Sequence, residues 1–291
     1  MNWVDLERAF NRAVLLSFSR KKMMLALPAL ILCGVLIVFC RAVAFDAGDW
    51  VAMSLAFLPI LLSSGVLLAL GVLLIQAHDR EVKRLSYKLP DLIVDSADSM
   101  ISTSFLSIPS VLVYLCFWIL MGIFYLFKEI PIIGDFFSVV FSFCPFLLIL
   151  GSLCLCLANL TLLFFAAPLF AFEPSKGIRL TQQLLQTMAG RLLTRLALLA
   201  IALVPSGFIA GLLSLAALLT KGSFLIGEKS VSVGLEWFFI MIPFAALLAP
   251  AVIFFFNFSA ESHRLLEAAK PRGAMPPPFG ASSASPHSEK R

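Results

Sequence analysis

Charged residues are scarce in this chain of 291 residues, where Asp, Glu, Lys and Arg together make up only 13%. A soluble domain averages about 25% charged residues and roughly 45–50% apolar ones. Here 60% of the residues are hydrophobic, and the mean hydropathy is +0.99. So much apolar surface has to face something other than water, and lipid tails are the natural medium. The scarcity of charge therefore excludes an ordinary soluble domain.

Motifs that carry chemistry are also missing. The six cysteines lie inside apolar runs and form no C-x-x-C pair, so neither a disulfide framework nor a zinc site is expected. No G-x-S-x-G, P-loop or H-E-x-x-H motif occurs. His78, His263 and His287 have no nucleophile or metal ligand near them in sequence, and we interpret them as solvated. We therefore expect no catalytic residue, no metal and no cofactor.

Long apolar stretches fill the space between the charged segments. About 20 helical residues cross a hydrocarbon core of roughly 30 Å. Phe136–Phe172 is long enough for two tight crossings, but Pro145 suits the first turn of a single helix that follows an outer lead-in. The sequence predicts an all-α polytopic transmembrane helix bundle over residues 23–260, with about six spans at 23–44, 51–76, 103–127, 145–170, 194–220 and 237–260.

The basic residues predict the orientation of these spans. Of the 22 Lys and Arg residues, 18 lie in residues 1–22, 76–100, 173–195 and 261–291, and four lie in the opposite loops. Lys and Arg are retained on the cytoplasmic side of a membrane. Both termini are therefore predicted to be cytoplasmic, in an inner membrane. The same bias accounts for the net charge of +5 without a nucleic-acid partner, and none is expected.

Three basic segments show apolar residues at helical spacing. In residues 1–22 these are Trp3, Leu6, Phe10, Ala13 and Phe18, and similar patterns occupy residues 80–93 and 182–192. Helices of this kind lie in the headgroup plane, where their cations attract anionic lipids. We predict interfacial amphipathic helices, with plain loops as the alternative. The expected partners are anionic headgroups at the cytoplasmic face and other membrane proteins.

The end of the chain has a different composition. Residues 261–291 are predicted to form a cytoplasmic tail. From about residue 270 this tail is rich in Pro, Ser and Gly and has almost no large apolar residues. Such a segment cannot bury enough apolar surface to order itself, so disorder is expected there.

A few polar residues are weak candidates for a site. Asp91, Asp95 and Asp98 share one helix face and could bind a cation or act in acid–base chemistry. Because they follow Pro90, where the helix dipole favours acids, a solvated helix start is preferred. Asn159 lies inside the fourth span, where a hydrogen bond between helices is favoured over a substrate site.

Small residues and missing charges give two further expectations. Gly65 with Ala69 and Gly207 with Gly211 are spaced by four, which allows close helix packing. Apart from Arg41 and Arg195 near the span ends, no Asp, Glu, Lys, Arg or His lies inside the spans given above. Proton-coupled carriers place such residues at membrane depth, so that mechanism is disfavoured here.

The segment Phe164–Pro205 carries a family resemblance. It reads FFAAPLFAFEPSKGIRLTQQLLQTMAGRLLTRLALLAIALVP, with a proline near the end of a span, a polar turn, and an amphipathic helix entering the next span. In this respect the chain resembles bacterial six-span membrane families of unknown function, including the membrane domain that precedes some glycerophosphodiester phosphodiesterases. The places that carry the resemblance are Pro168, Glu173, Gly177, Gly190 and Arg191. It implies six spans and an unassigned membrane role. Nothing resembles the phosphodiesterase barrel, so that activity is not implied.

Three functions remain open on this basis. The favoured one is a non-catalytic membrane protein that organises lipids or partners, because catalytic and intramembrane ionisable groups are missing from the sequence. A transporter, or a transporter subunit, for a small molecule or a lipid is the alternative. A membrane-embedded enzyme acting on lipid is the third, with the Asp91–Asp98 face as its candidate site. Substrate and oligomeric state are not encoded in any motif.

Overall fold

The computed structural model describes residues 3–45, 49–128, 143–172, 192–221 and 230–268, and within these ranges the regular structure is entirely helical. The α-helices are α1 (Trp3–Leu15), α2 (Arg20–Phe45), α3 (Asp49–Val82), α4 (Leu89–Ser104), α5 (Ile108–Lys128), α6 (Cys144–Phe172), α7 (Leu192–Lys221) and α8 (Ser230–Ala268). Short 3₁₀ turns, Leu16–Phe18 and Phe105–Ser107, join α1 to α2 and α4 to α5.

Six helical stretches are long and apolar enough to cross a membrane, which confirms the predicted all-α polytopic bundle. They are Arg20–Ala44, Val51–Val82, Leu89–Phe127, Pro145–Phe172, Thr194–Leu219 and Trp237–Ala268. The chain is thus an integral, multi-pass membrane protein. The described part of the fourth run is one continuous helix with Pro145 in its first turn, as predicted. The lead-in over residues 136–142 lies outside the described residues.

Helix α3 forms the centre of the bundle. Its most apolar window is 67% buried, against 11–39% for the other spans, and α2, α4, α5, α6 and α8 all pack against it. Gly71 faces the ring of Phe256 on α8, and an added Cβ would overlap that ring. A side chain at position 71 would therefore push α3 and α8 apart.

Helices α3 and α8 are longer than the bilayer requires. They contain 34 and 39 residues, or about 51 and 58 Å at 1.5 Å per residue, against a hydrocarbon core of about 30 Å. Both helices continue beyond the predicted span ends at residues 76 and 260, because charged residues end an apolar run without ending the helix when they find partners. As a result, His78 and Glu261 lie inside these helices. Both residues lie outside the predicted spans, so the expectation about ionisable residues inside the spans stays a prediction.

Helix α1 forms where predicted, but its apolar face has a different neighbour. The Phe10 ring lies edge-on to Phe254 and Phe258 of α8, with centroids 5.3 and 6.0 Å apart. Ala9 and Ala13 are buried. This face therefore packs on protein, whereas the prediction of an interfacial helix placed it in lipid. Trp3 was assigned to the same face, yet it is 82% exposed.

The segment around residues 80–93 is two helices separated by a turn, contrary to the single amphipathic helix predicted. Arg84 has a φ of 56°, and two hydrogen bonds close the end of α3, from Leu85 N to Arg80 O (2.8 Å) and from Arg84 N to Glu81 O (3.0 Å). This is the Schellman helix ending, in which one residue takes the left-handed conformation. The chain then leaves α3 and starts α4 at Leu89.

The third predicted amphipathic segment, at residues 182–192, falls almost entirely outside the described residues, and so does the tail from residue 269. The same holds for Glu173, Gly177, Gly190 and Arg191, on which much of the family resemblance depends.

Candidate functional site

The three aspartates predicted as a weak site are exposed on α4. Asp91 lies in the first turn, where a carboxylate complements the positive end of the helix dipole. The Asp95 carboxylate pairs with Arg80 of α3 at 2.9 Å, and both side chains are partly in solvent. Within the described ranges no three His, Cys, Asp or Glu side chains group closely enough to hold a metal. The aspartates of α4 therefore form a solvated face.

Asn159 links helices. Its side-chain amide Nδ2 donates to Ser64 Oγ of α3 at 2.7 Å, and its Oδ1 accepts a longer bond from Ser110 Oγ of α5 at 3.4 Å. The residue is almost fully buried. A buried amide with partners on two other helices is an interhelical connection, which is the role that the sequence favoured.

The two pairs of small residues occupy different surroundings. An added Cβ at Gly65 would lie 2.7 Å from Ser107 Oγ, so α3 approaches the α4–α5 turn closely there, while Ala69 is half-buried. Added Cβ atoms at Gly207 and Gly211 would meet no heavy atom within 4 Å among the described residues. Those two glycines on α7 face away from the described part of the bundle.

One small pocket lies between α3, α5 and α6. Its volume is about 20 Å³, which is room for about one water molecule. Aromatic and sulfur-containing side chains dominate its lining, and among them are Met53, Phe57, Phe117 and Met121. This volume is too small for an organic substrate.

Among the residues that the structure describes, the largest concentration of polar contacts lies where α1, the start of α2, the end of α3 and the end of α8 meet. We name it the Lys22 network, and it consists of Arg12, Lys22, His78, Asp79, Glu81, Asn257, Glu261 and Arg264. The sequence analysis assigned none of these residues to a site. Lys22, His78 and Asn257 are 0% exposed, so water does not compensate for their polarity.

Lys22 lies at the centre of the network. Its ammonium is 2.8 Å from Glu81 Oε2 and 3.1 Å from Asn257 Oδ1. It also lies 3.3 Å from His78 Nδ1 and 3.4 Å from the carbonyl oxygen of Leu16. Four acceptors from three elements, α3, α8 and the turn Leu16–Phe18, surround one cation. Because an isolated buried charge is very costly, this surrounding shell is what keeps a charged lysine inside the fold.

His78 is buried between Lys22 and Glu261, which corrects its prediction as a solvated residue. Its Nε2 atom lies 2.9 Å from Glu261 Oε1. An ammonium can only donate and a carboxylate can only accept hydrogen bonds. The imidazole must therefore accept at Nδ1 and donate at Nε2, so the contacts specify a neutral ring and one tautomer.

Glu261 and Asp79 bring two arginines into the network. Arg12 of α1 and Arg264 of α8 lie 3.5 and 3.7 Å from Glu261 Oε1, and Arg264 also pairs with Asp79 of α3. The network therefore holds three cations and three carboxylates around one neutral imidazole. Balanced charge of this kind offsets much of the desolvation cost of its members.

Glu81 connects the network to the turn between α3 and α4. Its Oε1 accepts hydrogen bonds from Ser19 Oγ at 2.9 Å and from the Tyr87 hydroxyl at 3.0 Å. Burial of the ring and the negative charge of Glu81 raise the pKa of Tyr87. Lys21 donates to the carbonyl oxygen of Tyr87 at 3.2 Å and lies over its ring. The turn is thereby held against the start of α2.

The sequence did contain a signal for this network. Asn257, Glu261 and Arg264 recur at i, i+4 and i+7, and His78 and Glu81 are three apart, so each set shares a helix face. With six spans, both sets flank apolar runs at the same end of the bundle.

The other two histidines lie outside the network. His263 is only partly exposed, because its ring stacks on Phe172 at 5.7 Å. His287 lies outside the described residues.

Comparisons with known proteins add nothing to this geometry. No family model matches the chain, and neither the curated proteins nor the solved structures gave a match. Its function therefore has to be inferred from its own residues.

Proposed function

We propose that this chain is a non-catalytic protein of the inner membrane that organises lipids or partner proteins at the cytoplasmic face. The observation that carries the proposal is the Lys22 network, whose charges are satisfied by one another. A cluster of this kind fixes four chain segments in place and leaves little chemical capacity for a substrate. Both termini are proposed to be cytoplasmic, because the network lies at the end of the bundle that holds most of the basic residues.

The outer surface of α1 and of its junction with α2 supports lipid as a partner. Trp3, Leu15 and Phe18 are exposed there, and Arg8 and Arg20 are exposed nearby. Aromatic and basic side chains together are typical of the boundary between headgroups and acyl chains. The opposite face of α1 is packed on α8. This exposed surface therefore has a fixed position relative to the bundle.

Lipid retention tests the proposal. The full chain is extracted from a native membrane in mild detergent, and the phospholipids that stay bound are counted by headgroup class. The double variant Arg8→Ala/Arg20→Ala should retain fewer anionic lipids, with an affinity lower by about 1 kcal/mol, or roughly fivefold, per cation removed. Arg41→Ala is the matched control, because this exposed cation lies on α2 at the opposite end of the bundle. Equal losses in both variants, or no anionic enrichment in the native chain, would contradict lipid organisation.

A transporter is the second candidate, and the same network favours it. Ionisable residues buried among spans are typical of ion and proton pathways, and Lys22, His78 and Glu261 come from three different spans. Vesicles that contain the full chain and an internal pH dye would test this candidate. Proton uptake above that of empty vesicles, lost in Glu261→Gln, would favour transport over a static organiser.

The third hypothesis, an enzyme acting on lipid, gains no support from Asp91, Asp95 and Asp98, which are solvated. Kinship with the six-span families described above stays a prediction.

A further inference from the structure

We propose that the Lys22 network is a proton-operated latch, in which a proton taken up by His78 releases α1 from the bundle. The inference concerns only protons and helix packing, so it does not depend on the proposed function. It starts from the position of His78, the one residue of the network whose side chain ordinarily changes charge between about pH 5 and 8.

The contacts of His78 leave no place for a second ring proton. Nδ1 accepts from the Lys22 ammonium at 3.3 Å, and Nε2 donates to Glu261. A proton bound at Nδ1 would remove the acceptor and would face a positive charge across that short distance. Lys22 would then have to move away from the imidazole.

The charged groups around His78 come from every helix that meets there. Lys22 lies on α2 and Arg12 on α1, Glu261 and Arg264 lie on α8, and Asp79 and Glu81 lie on α3 beside His78 itself. These six groups balance as three positive and three negative charges, and the largely exposed Lys83 of α3 brings a further cation to Asp79 at 2.6 Å. Glu261, the carboxylate that an imidazolium would contact, is shared with two arginines. An added proton therefore makes a fourth cation for which no unshared carboxylate is available in the network.

Movement of Lys22 would act directly on α1. The ammonium donates to the Leu16 carbonyl at the end of the α1 segment, and it holds Asn257 through Oδ1. The Asn257 amide in turn donates to the Ala13 carbonyl of α1 at 3.4 Å. Both connections depend on where Lys22 lies. After their loss, α1 would be held by the packing of Phe10, Ala9 and Ala13 and by the half-exposed Arg12.

Cysteine labelling within α1 tests the latch. In the full chain, with its native cysteines replaced and the protein in lipid nanodiscs, Ala9→Cys places a thiol on the buried face, and Asn11→Cys places one on the exposed face of the same helix. The ratio of their maleimide labelling rates cancels the effect of pH on thiol chemistry. Between pH 8 and pH 5 this ratio should rise at least tenfold, because one linked proton changes an equilibrium by up to tenfold for each pH unit.

Two histidine variants identify the proton acceptor. His78→Gln keeps a donor and an acceptor but does not titrate, so its labelling ratio should stay flat with pH. His263→Gln is the matched control on α8, and it should keep the rise. A flat ratio in the native sequence, or an equal rise in His78→Gln, would overturn the latch.

A measurement on the native chain covers the case in which His78→Gln fails to fold. Hydrogen exchange, corrected for its intrinsic pH dependence, should show the amides of α1 losing protection at pH 5 while residues 68–75 of α3 keep theirs. If both regions lose protection together, acid unfolds the bundle as a whole and the latch is refuted. If neither loses protection, no proton-linked release occurs and the proposal fails as well.

Discussion

At the scale of single residues, the ammonium of Lys22 shows how a charge is tolerated inside a bundle of apolar helices. Its side chain is fully buried, and its four acceptors come from three different elements. Glu81 Oε2, its closest partner, has no other hydrogen-bond donor among the described residues. The two charges therefore depend on each other, and the loss of one leaves the other buried and unpaired.

This dependence gives a prediction for Lys22→Met. The variant should lose about 3 kcal/mol of unfolding free energy, because breaking a buried pair costs roughly 3–5 kcal/mol and Glu81 retains some exposure to solvent. The double variant Lys22→Met/Glu81→Gln should recover part of the loss. Unfolding in detergent, followed by circular dichroism, measures both. Lys83→Met is the control, since its 60% exposed side chain pairs with Asp79 and such surface pairs contribute below about 1 kcal/mol. A Lys22→Met loss no larger than that of the control would refute the account.

Arg84 gives a prediction of opposite sign. A non-glycine residue in the left-handed conformation carries strain that glycine avoids, so Arg84→Gly should stabilise the chain by about 0.5–1 kcal/mol. Lys83→Gly, one residue earlier and without a positive φ, should destabilise it, because glycine there adds backbone entropy to the unfolded state and removes the surface pair with Asp79. Thermal unfolding of both variants decides the matter. Equal shifts in the same direction would show that the helix ending is not strained.

At the scale of elements, α1 shows what periodicity can predict and what it cannot. The spacing of Leu6, Phe10 and Ala13 correctly predicted a helix with one apolar face. Periodicity states which side is apolar but not what covers it, and here the cover is α8 rather than lipid. The break at Arg84 was missed for a related reason, because the sequence carries no glycine or asparagine to mark a left-handed helix end.

The docking of α1 should depend on Phe10. Phe10→Ala removes a half-buried ring from between Phe254 and Phe258, at a cost of about 2 kcal/mol, which is below the usual range for a fully buried Phe. Local opening of α1 should then become roughly thirtyfold more frequent, and hydrogen exchange over residues 3–15 reports it. Trp3→Ala is the control, because that ring is 82% exposed and should leave exchange unchanged. Equal protection in both variants would mean that the aromatic contact does not hold α1.

At the scale of the whole molecule, hydropathy predicted the class and the number of spans, while the network went unpredicted. An even number of spans brings the start of the first, the end of the second and the end of the sixth to one face, so their charges could be expected to lie near each other. Which of them meet depends on the rotation of each helix and on its length beyond the apolar run. Neither quantity is encoded in hydropathy, because His78 and Glu261 lie beyond the point where each apolar run ends.

The orientation of the whole chain across the membrane can be tested with fused reporters. A reporter enzyme that works only outside the cytoplasm should be inactive when fused after residue 84 or residue 268, and active when fused after residue 45 or residue 221. The reason is the concentration of Lys and Arg at the end of the bundle that carries the network. A fluorescent reporter that works only in the cytoplasm should give the reverse pattern at the same four positions. Exchange of the two patterns would invert the molecule and place α1 outside. Activity after residue 268 but not after residue 84 would require an odd number of crossings between these two positions. His78 and Glu261 would then lie on opposite sides of the bilayer. Their contact at 2.9 Å excludes that arrangement.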